Sequence, residues 1–429
     1  MPKSATSKQS PTAKQIEQAY ALAQEQYAAL GVKTDIAVRL CLETAISVHC
    51  WQADDVAGLE TKPEGLSLGG IQATGNYPGA ARTGDEIRQD FDAAGALIPG
   101  KLRFNLHASY AETGDHVVDR DAIQPKHFAG WLQWARERGH ALDFNPTFFA
   151  HPLAESGITL AHRDPAIREF WVEHARACRR IARSFAKDLG PSVCNIWIPD
   201  GMKDSTVDRW SPRERLVESL DAILDGRMTG VIDAVESKLF GIGCEDYTVG
   251  SHEFYLLYAL SRGVVLCYDL GHFHPTESVA DKLSSTMQFL DHILVHVSRG
   301  IRWDSDHVVL STDELRALCH EAVRGRVINR IYWSLDFFDA SINRLGAWVV
   351  GTRALRKGLL YALLEPTPLL AGAEAEGRGA DKLALLERCR ELPFGAVWDY
   401  ACLKAGVPAG SSWLADMHAY ESKVLGKRK

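Results

Sequence analysis

Short apolar runs, rich in β-branched residues, alternate with amphipathic stretches over most of the chain. Eight of these runs have the length and composition of buried strands, and they cover residues 46–51, 102–107, 141–146, 193–198, 231–237, 264–270, 293–298 and 327–336. Most of the intervening stretches repeat apolar residues at the spacing of one helix face. Strands that alternate with helices in this way are typical of a parallel sheet.

The sequence also marks where several helices begin and end. Asp164 followed by Pro165 is typical of an N-cap and a first helical residue, and Gly190 is typical of the residue that stops a helix. Ser211 and Thr312 each stand before an amphipathic stretch and are predicted to cap it through a capping box.

The alternation predicts an α/β protein with a (β/α)8 TIM barrel, which is built from eight strand–helix units. We expect residues 1–13 to be disordered, residues 14–349 to form the barrel with its N-terminal helices, and residues 350–429 to form a helical C-terminal extension used in oligomerisation. A doubly wound open sheet is the alternative. It is weakened because no G-x-G-x-x-G follows a predicted strand and no G-x-x-x-x-G-K-[ST] loop occurs.

Composition narrows the class of protein. The 429 residues are 46% hydrophobic and 24% charged, which is ordinary for a globular protein, and the net charge of −7 argues against a nucleic-acid partner. The nine cysteines are scattered singly without a C-x-x-C, as expected for reduced thiols. The N-terminus has no apolar stretch typical of a signal peptide, and no run has the length of a membrane span. We therefore expect a cytoplasmic protein without a membrane partner.

Residues that can bind a metal end the last four predicted strands, and they are Glu236, Asp269, His296 and Asp336. In a (β/α)8 barrel, functional groups lie at the carboxyl ends of the strands. A single aspartate at such a place is usually a helix cap. Four metal-binding residues at consecutive strand ends are harder to explain as caps, because each cap serves only its own helix.

Three further candidate ligands follow closely in the sequence. His272 comes three residues after Asp269, and Asp304 and Asp306 are two apart, so that both face the same way in an extended chain. The complete set offers oxygen and nitrogen but no thiolate, which suits Mg²⁺, Mn²⁺ or Co²⁺ better than a structural zinc. Seven ligands are too many for one open catalytic ion and enough for two, with Asp269 placed to bridge them. Scattered caps and surface acids are the alternative.

Several long strings in the chain resemble those of the L-rhamnose isomerase family, of the bacterial rhamnose-catabolic type. They are "HCWQADDVAG", "GGIQATGNYPG", "NIWIPDGMKD", "DAVESKLFGIG", "DLGHFHPTE", "RWDSDHVV" and "LDFFDASINR". The likeness extends from about residue 14 to the end of the chain. It implies a (β/α)8 barrel that interconverts L-rhamnose and L-rhamnulose with Mn²⁺, usually as a homotetramer built partly through its C-terminal helices.

The resemblance also implies a role for each candidate ligand. The implied first, structural metal site consists of Glu236, Asp269, His296 and Asp336. The implied second, catalytic metal site consists of His272, Asp304 and Asp306, with Asp269 shared. We thus expect two divalent ions per subunit, Mn²⁺ by preference, with Co²⁺, Zn²⁺ or Mg²⁺ acceptable at one site. The wider xylose-isomerase-like group has a lysine two residues after the first glutamate, which corresponds to Lys238.

Substrate contacts can be predicted for four more residues. Lys238 can polarise O1 of the sugar, or it can simply neutralise the acidic cluster. His107, at a strand end, is a candidate proton shuttle for ring opening, although a lone histidine there is as often a core residue. Trp51 and Trp197 can stack on the apolar face of a sugar or belong to the ordinary core.

Two other functions fit part of this pattern. A metal-dependent phosphoesterase or endonuclease would use similar ligands, but it would also need a basic lining for phosphate. A non-catalytic sugar or metal binder would keep the ligands and have no need of Lys238 or His107. An aldose–ketose isomerase that moves hydrogen from C2 to C1 as a hydride accounts for all of them.

Overall fold

The computed structural model describes residues 11–60, 73–240, 244–302 and 304–428, apart from the side chains of Asp304 and Ser305. Among these residues, eight parallel strands close into a barrel in chain order, which confirms the predicted (β/α)8 fold and excludes the open sheet. The barrel strands are β1 Ile46–His49, β2 Leu102–His107, β3 Ala141–Asn145, β4 Ser192–Ile196, β5 Val231–Glu236, β6 Val265–Asp269, β7 Ile293–Val297 and β8 Ile331–Leu335.

Helices follow every barrel strand and cover the outside of the barrel. They are α3 Gly84–Gly95, α4 Ala129–Arg138, α5 Pro165–Leu189, α6 Ser211–Leu224, α7 His252–Arg262, α8 Ala280–Thr286, α9 Asp313–Arg324 and α10 Arg344–Leu363. Before the barrel come α1 Ala13–Ala28 and α2 Thr34–Glu43, and after it come α11 Thr367–Ala375, α12 Gly379–Glu391, α13 Phe394–Lys404 and α14 Trp413–Lys423. Among the described residues, none of the helices combines the length and apolar character that crossing a bilayer requires.

The strands are continuous apolar runs because they are buried on both faces. In β7, every residue from Ile293 to Val297 is buried. The main core lies between barrel and helices and contains large, fully buried side chains such as Trp131, Trp171 and Trp348. A second, smaller core joins the two ends of the chain, where the rings of Tyr20 in α1 and Tyr400 in α13 stack 3.7 Å apart.

The predicted helix ends hold in most cases. Asp164 caps α5 by accepting from the backbone N–H of Ala166, and Thr312 caps α9 in the same way from Leu315. The capping box predicted for Thr312 is wrong, because the third helical residue is Leu315, whose side chain cannot accept a hydrogen bond. The prediction for Ser211 is wrong, since Ser211 is the first residue of α6 and makes no capping bond. The carboxylate of Asp208 accepts from the backbone N–H of Ser211 instead, and therefore takes the role given to the serine.

The eighth unit differs in detail from its prediction. Residues Ile328–Arg330 form a short 3₁₀ helix, so β8 starts at Ile331 rather than at residue 327. Helix α10 begins at Arg344 and packs on α9 and α3, which makes it the outer helix of the last barrel unit. The expected boundary between residues 349 and 350 consequently lies inside α10.

Candidate metal centre

Four side chains meet at the carboxyl end of the barrel, and we call them the strand-end cluster: Glu236, Asp269, His296 and Asp336. Each offers one donor atom within 4.8 Å of the donors of the other three. The barrel register explains the meeting, because Asp269 and His296 are paired residues of β6 and β7. Asp336 directly follows β8, and its backbone N–H donates to Val297 at the end of β7. The structure thus brings the first predicted ligand set together.

The donor atoms of this cluster are arranged for an ion rather than for one another. Among the described residues, Oδ2 of Asp269 and both ring nitrogens of His296 are buried and have no hydrogen-bond partner. Nδ1 of His296 lies 3.1 Å from Oε2 of Glu236 and 3.6 Å from Oδ2 of Asp336, but neither contact has hydrogen-bond geometry. Leaving such atoms unpaired is costly unless something else binds them. The residues present therefore fit a bound divalent cation.

The pKa shifts of these residues also indicate a place for a positively charged ion. Burial raises the pKa of Asp269 and that of Asp336 above the usual range, because their charged forms are desolvated. Burial would also raise the pKa of Glu236, but His296 and His272 outweigh it and lower that pKa to about 2. The pKa of each histidine is raised in turn, because the neighbouring acidic groups outweigh desolvation. Without a cation, bound protons therefore offset the charge of these buried carboxylates, a role that a divalent ion can take over.

The second predicted ligand set is only partly described. Nδ1 of His272 donates to the carbonyl of Ser237 at 2.8 Å, which leaves Nε2 with the lone pair that a metal needs. Asp306 lies on an antiparallel ribbon formed by Arg299–Ile301 and Asp304–His307. The side chain of Asp304 lies outside the described part of the chain, so its assignment to a metal stays a prediction.

A cavity of about 60 Å³, which we call the upper cavity, adjoins the cluster. Trp51, His107 and Trp197 line it together with Asp306 and Asp336, as a shared site requires. Its lining residues as described do not include Lys238, whose Nζ donates to the carbonyl of Pro199 at 2.7 Å and to Sγ of Cys244 at 3.2 Å. The same Nζ lies 5.7 Å from the ring centroid of Trp197, which itself lines the cavity.

Two of the predicted sugar contacts have additional partners. Nε1 of Trp51 donates to Oδ1 of Asp336 at 3.0 Å, so this tryptophan orients a candidate ligand as well as forming a wall. Its ring meets that of His107 edge to face, with centroids 4.8 Å apart. Burial lowers the pKa of His107 to about 3, which keeps its imidazole neutral near pH 7.

Sequence reasoning missed several residues of this site. Nδ2 of Asn195 donates to Oε2 of Glu236 at 2.5 Å and so holds the carboxylate in place. Asn145 also lines the cavity. A polar amide within an apolar strand was the available signal for both. For Val56 the sequence offers no such signal. This residue lines the cavity and has a positive φ of 61°, a conformation that β-branched residues rarely adopt.

A larger cavity of about 320 Å³, the lower cavity, opens at the other end of the barrel beside the exposed residues Glu43 and Asn329. Asn145, Asn195 and His296 line both cavities and so separate them. These three polar side chains therefore form a partition between the two cavities.

Comparison with known proteins gives a consistent match. The family model for L-rhamnose isomerase (RhaA) matches residues 14–428. An L-rhamnose isomerase of Mannheimia succiniciproducens is 55% identical over 416 residues, which cover 96% of this chain and 99% of that protein. One of Escherichia coli is 54% identical over 417 residues, with the same coverage. A solved D-psicose 3-epimerase of Clostridium cellulolyticum covers 74% of this chain and 96% of its own at 12% identity, and its TM-score of 0.45 is too low to add to the fold described above.

Proposed function

The chain belongs to the L-rhamnose isomerase family, a family of aldose–ketose isomerases, and on that basis we propose that it interconverts L-rhamnose and L-rhamnulose with the help of divalent cations. The observation that carries the proposal beyond family membership is the strand-end cluster beside the upper cavity. The cavity combines donors for cations with aromatic walls and with the apolar side chain of Val56, which suits the methyl group of a deoxy sugar.

We propose that two ions, Mn²⁺ by preference, bind at this centre. Glu236, Asp269, His296 and Asp336 would hold the first, and His272, Asp304 and Asp306 the second, with Asp269 shared. Such ions supply Lewis-acid stabilisation for the negative charge that the reaction develops on the sugar oxygens. The unpaired buried donors of Asp269 and His296 support the first site, and the fixed tautomer of His272 supports the second.

The protein's own residues would position the sugar and keep water away from it. Trp51 and Trp197 form walls for its apolar face, and the neutral imidazole of His107 can hydrogen-bond to the ring oxygen or to the anomeric hydroxyl during ring opening. Oγ1 of Thr147 lies 3.0 Å from Nδ1 of His107, and this hydrogen bond fixes the orientation of the imidazole ring. Lys238 would place a positive charge beside O1 after turning from Pro199 towards the upper cavity.

We also propose that the hydrogen passes directly from C2 to C1 as a hydride. An enediol route needs a base beside these carbons with a pKa close to the working pH. The described carboxylates that line the upper cavity are Glu236, Asp306 and Asp336, and all three belong to the proposed ligand sets. His107 remains, but a pKa of about 3 makes it a weak base.

For the assembly, we propose a homotetramer in which residues 350–429 contribute contacts between subunits. Leu369 in α11 and Leu383 in α12 are large apolar side chains that a single chain leaves exposed, which supports a role for this region in association.

Product analysis tests the proposed activity. We expect L-rhamnose to be converted to L-rhamnulose, identified by chromatography and NMR, and we expect EDTA to stop the reaction and Mn²⁺ or Co²⁺ to restore it. The ion-free protein should also unfold at a lower temperature, because the cluster's like charges then repel and a ligand of the folded state is lost. Release of phosphate from a phosphoester, or sugar binding without turnover, would contradict the proposal.

Isotope labelling tests the hydride transfer. L-Rhamnose with deuterium at C2 should give L-rhamnulose that keeps the label at C1 in ordinary water, because a hydride never exchanges with solvent. Mass spectrometry at low conversion measures the retention. Unlabelled substrate in deuterium oxide is the control and should give unlabelled product. Substantial wash-out within one turnover would show that an exchangeable base acts instead.

A further inference from the structure

A turn with an unusual backbone conformation follows β1 and reaches the upper cavity. It spans residues 53–56, and its last two residues, Asp55 and Val56, have positive φ values of 59° and 61°. Glycine adopts this left-handed region freely and aspartate tolerates it, whereas a β-branched residue is strained there. Val56 is nevertheless buried in this turn and forms part of the cavity wall. Backbone strain persists only where the surrounding structure enforces it, and it is concentrated at functional sites.

A buried ion pair holds this turn from outside. Arg344, the first residue of α10, donates to the two carboxylate oxygens of Asp55 through Nε at 2.8 Å and Nη2 at 2.5 Å. Its Nη1 donates to the carbonyl of Tyr77 at 2.6 Å, which holds the guanidinium in a third direction. The Arg344 side chain is 4% exposed, so solvent ions screen the pair little. A two-point contact of this kind fixes the orientation of the carboxylate as well as its distance.

Other hydrogen bonds hold the residues on either side of Asp55. The carboxylate of Asp54 accepts from the hydroxyl of Tyr110 at 2.7 Å and from the backbone N–H of Gly58 at 2.8 Å. These contacts fasten the base of the turn to β2 and to the following loop. Asp55 lies at the middle of the left-handed segment, and Arg344 ties it to the last barrel unit.

A glycine at position 56 would relieve the strain, but it would also remove the side chain that lines the cavity. We propose that Arg344 is a positioning residue that acts through Asp55: it keeps the turn left-handed and so holds the Val56 side chain in the wall of the upper cavity, where Val56 limits the size of the substituent that a bound sugar carries. Among the described residues that line this cavity, neither Arg344 nor Asp55 occurs. The inference rests on the proposed function, because it takes the upper cavity as the place where the sugar binds.

A pair of sugars tests the positioning role. L-Mannose differs from L-rhamnose by one hydroxyl group on C6, so the ratio of kcat/KM for L-rhamnose to that for L-mannose measures the fit at this wall. Arg344→Lys keeps the charge but cannot make the two-point contact, and we expect it to lower the ratio about tenfold, chiefly through a higher KM for L-rhamnose. Asp55→Asn should act in the same direction, and it provides the test if the buried lysine prevents folding.

A double variant shows whether Arg344 acts through Val56. Val56→Gly should by itself have a low ratio, and adding Arg344→Lys to it should lower the ratio no further, because the side chain to be positioned is already absent. Arg179→Lys is the matched control. Arg179 also makes a buried two-point contact, with Asp233 at 2.8 Å and 2.9 Å, but neither residue lines the upper cavity among the described residues. This control should leave the ratio unchanged.

Hydrogen–deuterium exchange without any sugar gives a readout that does not depend on activity. The backbone N–H of Val56 donates to the carbonyl of Trp51 at 3.0 Å, and in Arg344→Lys the peptide that contains it should exchange about tenfold faster while α7 is unchanged. An unchanged sugar ratio, a further fall in the double variant, or exchange that rises equally in all segments would overturn the positioning role. Failure of the unaltered protein to convert L-rhamnose would instead contradict the proposed function.

Discussion

Replacement of Glu236 by glutamine is expected to lower isomerase turnover by about three orders of magnitude, or roughly 4 kcal/mol of transition-state stabilisation. The carboxylate lies 3.1 Å from Nδ1 of His296 and 3.3 Å from Nδ1 of His272, so it joins the two proposed ligand sets. The amide keeps the size of the side chain but removes its charge and one of its two acceptor oxygens. We therefore expect Glu236→Gln to retain fewer ions per subunit as well.

Steady-state kinetics together with elemental analysis of the dialysed protein measures both effects. Glu218→Gln, on the exposed face of α6, is the matched control and should change neither the turnover nor the number of ions retained per subunit. Thermal unfolding followed by circular dichroism shows whether the variant is still folded. If Glu236→Gln kept a full complement of ions and more than a tenth of the wild-type turnover, the assignment of Glu236 to the metal centre would be wrong.

The barrel and the strand-end cluster were predictable from the sequence for the same reason. Parallel strands covered by helices must be apolar throughout, so the eight runs stand out, and a charged residue at the end of such a run stands out against them. Glu236, Asp269 and His296 each terminate or nearly terminate an apolar strand. Their convergence then follows from barrel closure, which places all carboxyl ends at one mouth.

Features that depend on distant partners were not predictable. The orientation of Lys238 is set by the carbonyl of Pro199 and by Cys244, and the neutral state of His107 is set by its burial. No local sequence pattern around Lys238 or His107 indicates these contacts or this burial. The cap of α6 was also mispredicted, because the carboxylate of Asp208 accepts from the backbone N–H groups of Trp210 and Ser211, and the helix therefore already includes Ser211. Local sequence patterns indicate which residues can cap a helix or bind a ligand, and tertiary packing decides which of them do.

Lys238 is where this distinction matters most for function, because two roles were open for it. Its ammonium is buried, with 5% of the residue exposed, and its direct contacts are one carbonyl, one thiol and the face of Trp197. The carboxylate on which its charge acts is Asp200, which does not belong to the strand-end cluster. A lysine whose only task was to neutralise the acidic cluster would be expected in direct contact with it. This placement favours a charge held in reserve for the sugar's O1.

Lys238→Met is accordingly expected to lower kcat by about 100-fold to 1,000-fold, the usual cost of removing one group that stabilises a developing oxyanion. KM and the number of bound ions should change little, because the ligands do not contact Nζ. Loss of the ammonium leaves the Pro199 carbonyl with only the weak thiol donor of Cys244 at 3.4 Å, which should cost about 1 kcal/mol of folding stability and can be followed by thermal unfolding. Lys238→Arg should not restore turnover, since a planar guanidinium cannot take the place of a compact ammonium between Pro199 and Cys244. Lys203→Met, at an exposed position that does not line the upper cavity, is the control and should behave as the unaltered protein. If Lys238→Met instead lost ions while its ion-saturated kcat stayed normal, the lysine would serve only to balance the charge of the cluster, and its proposed contact with O1 would have to be abandoned.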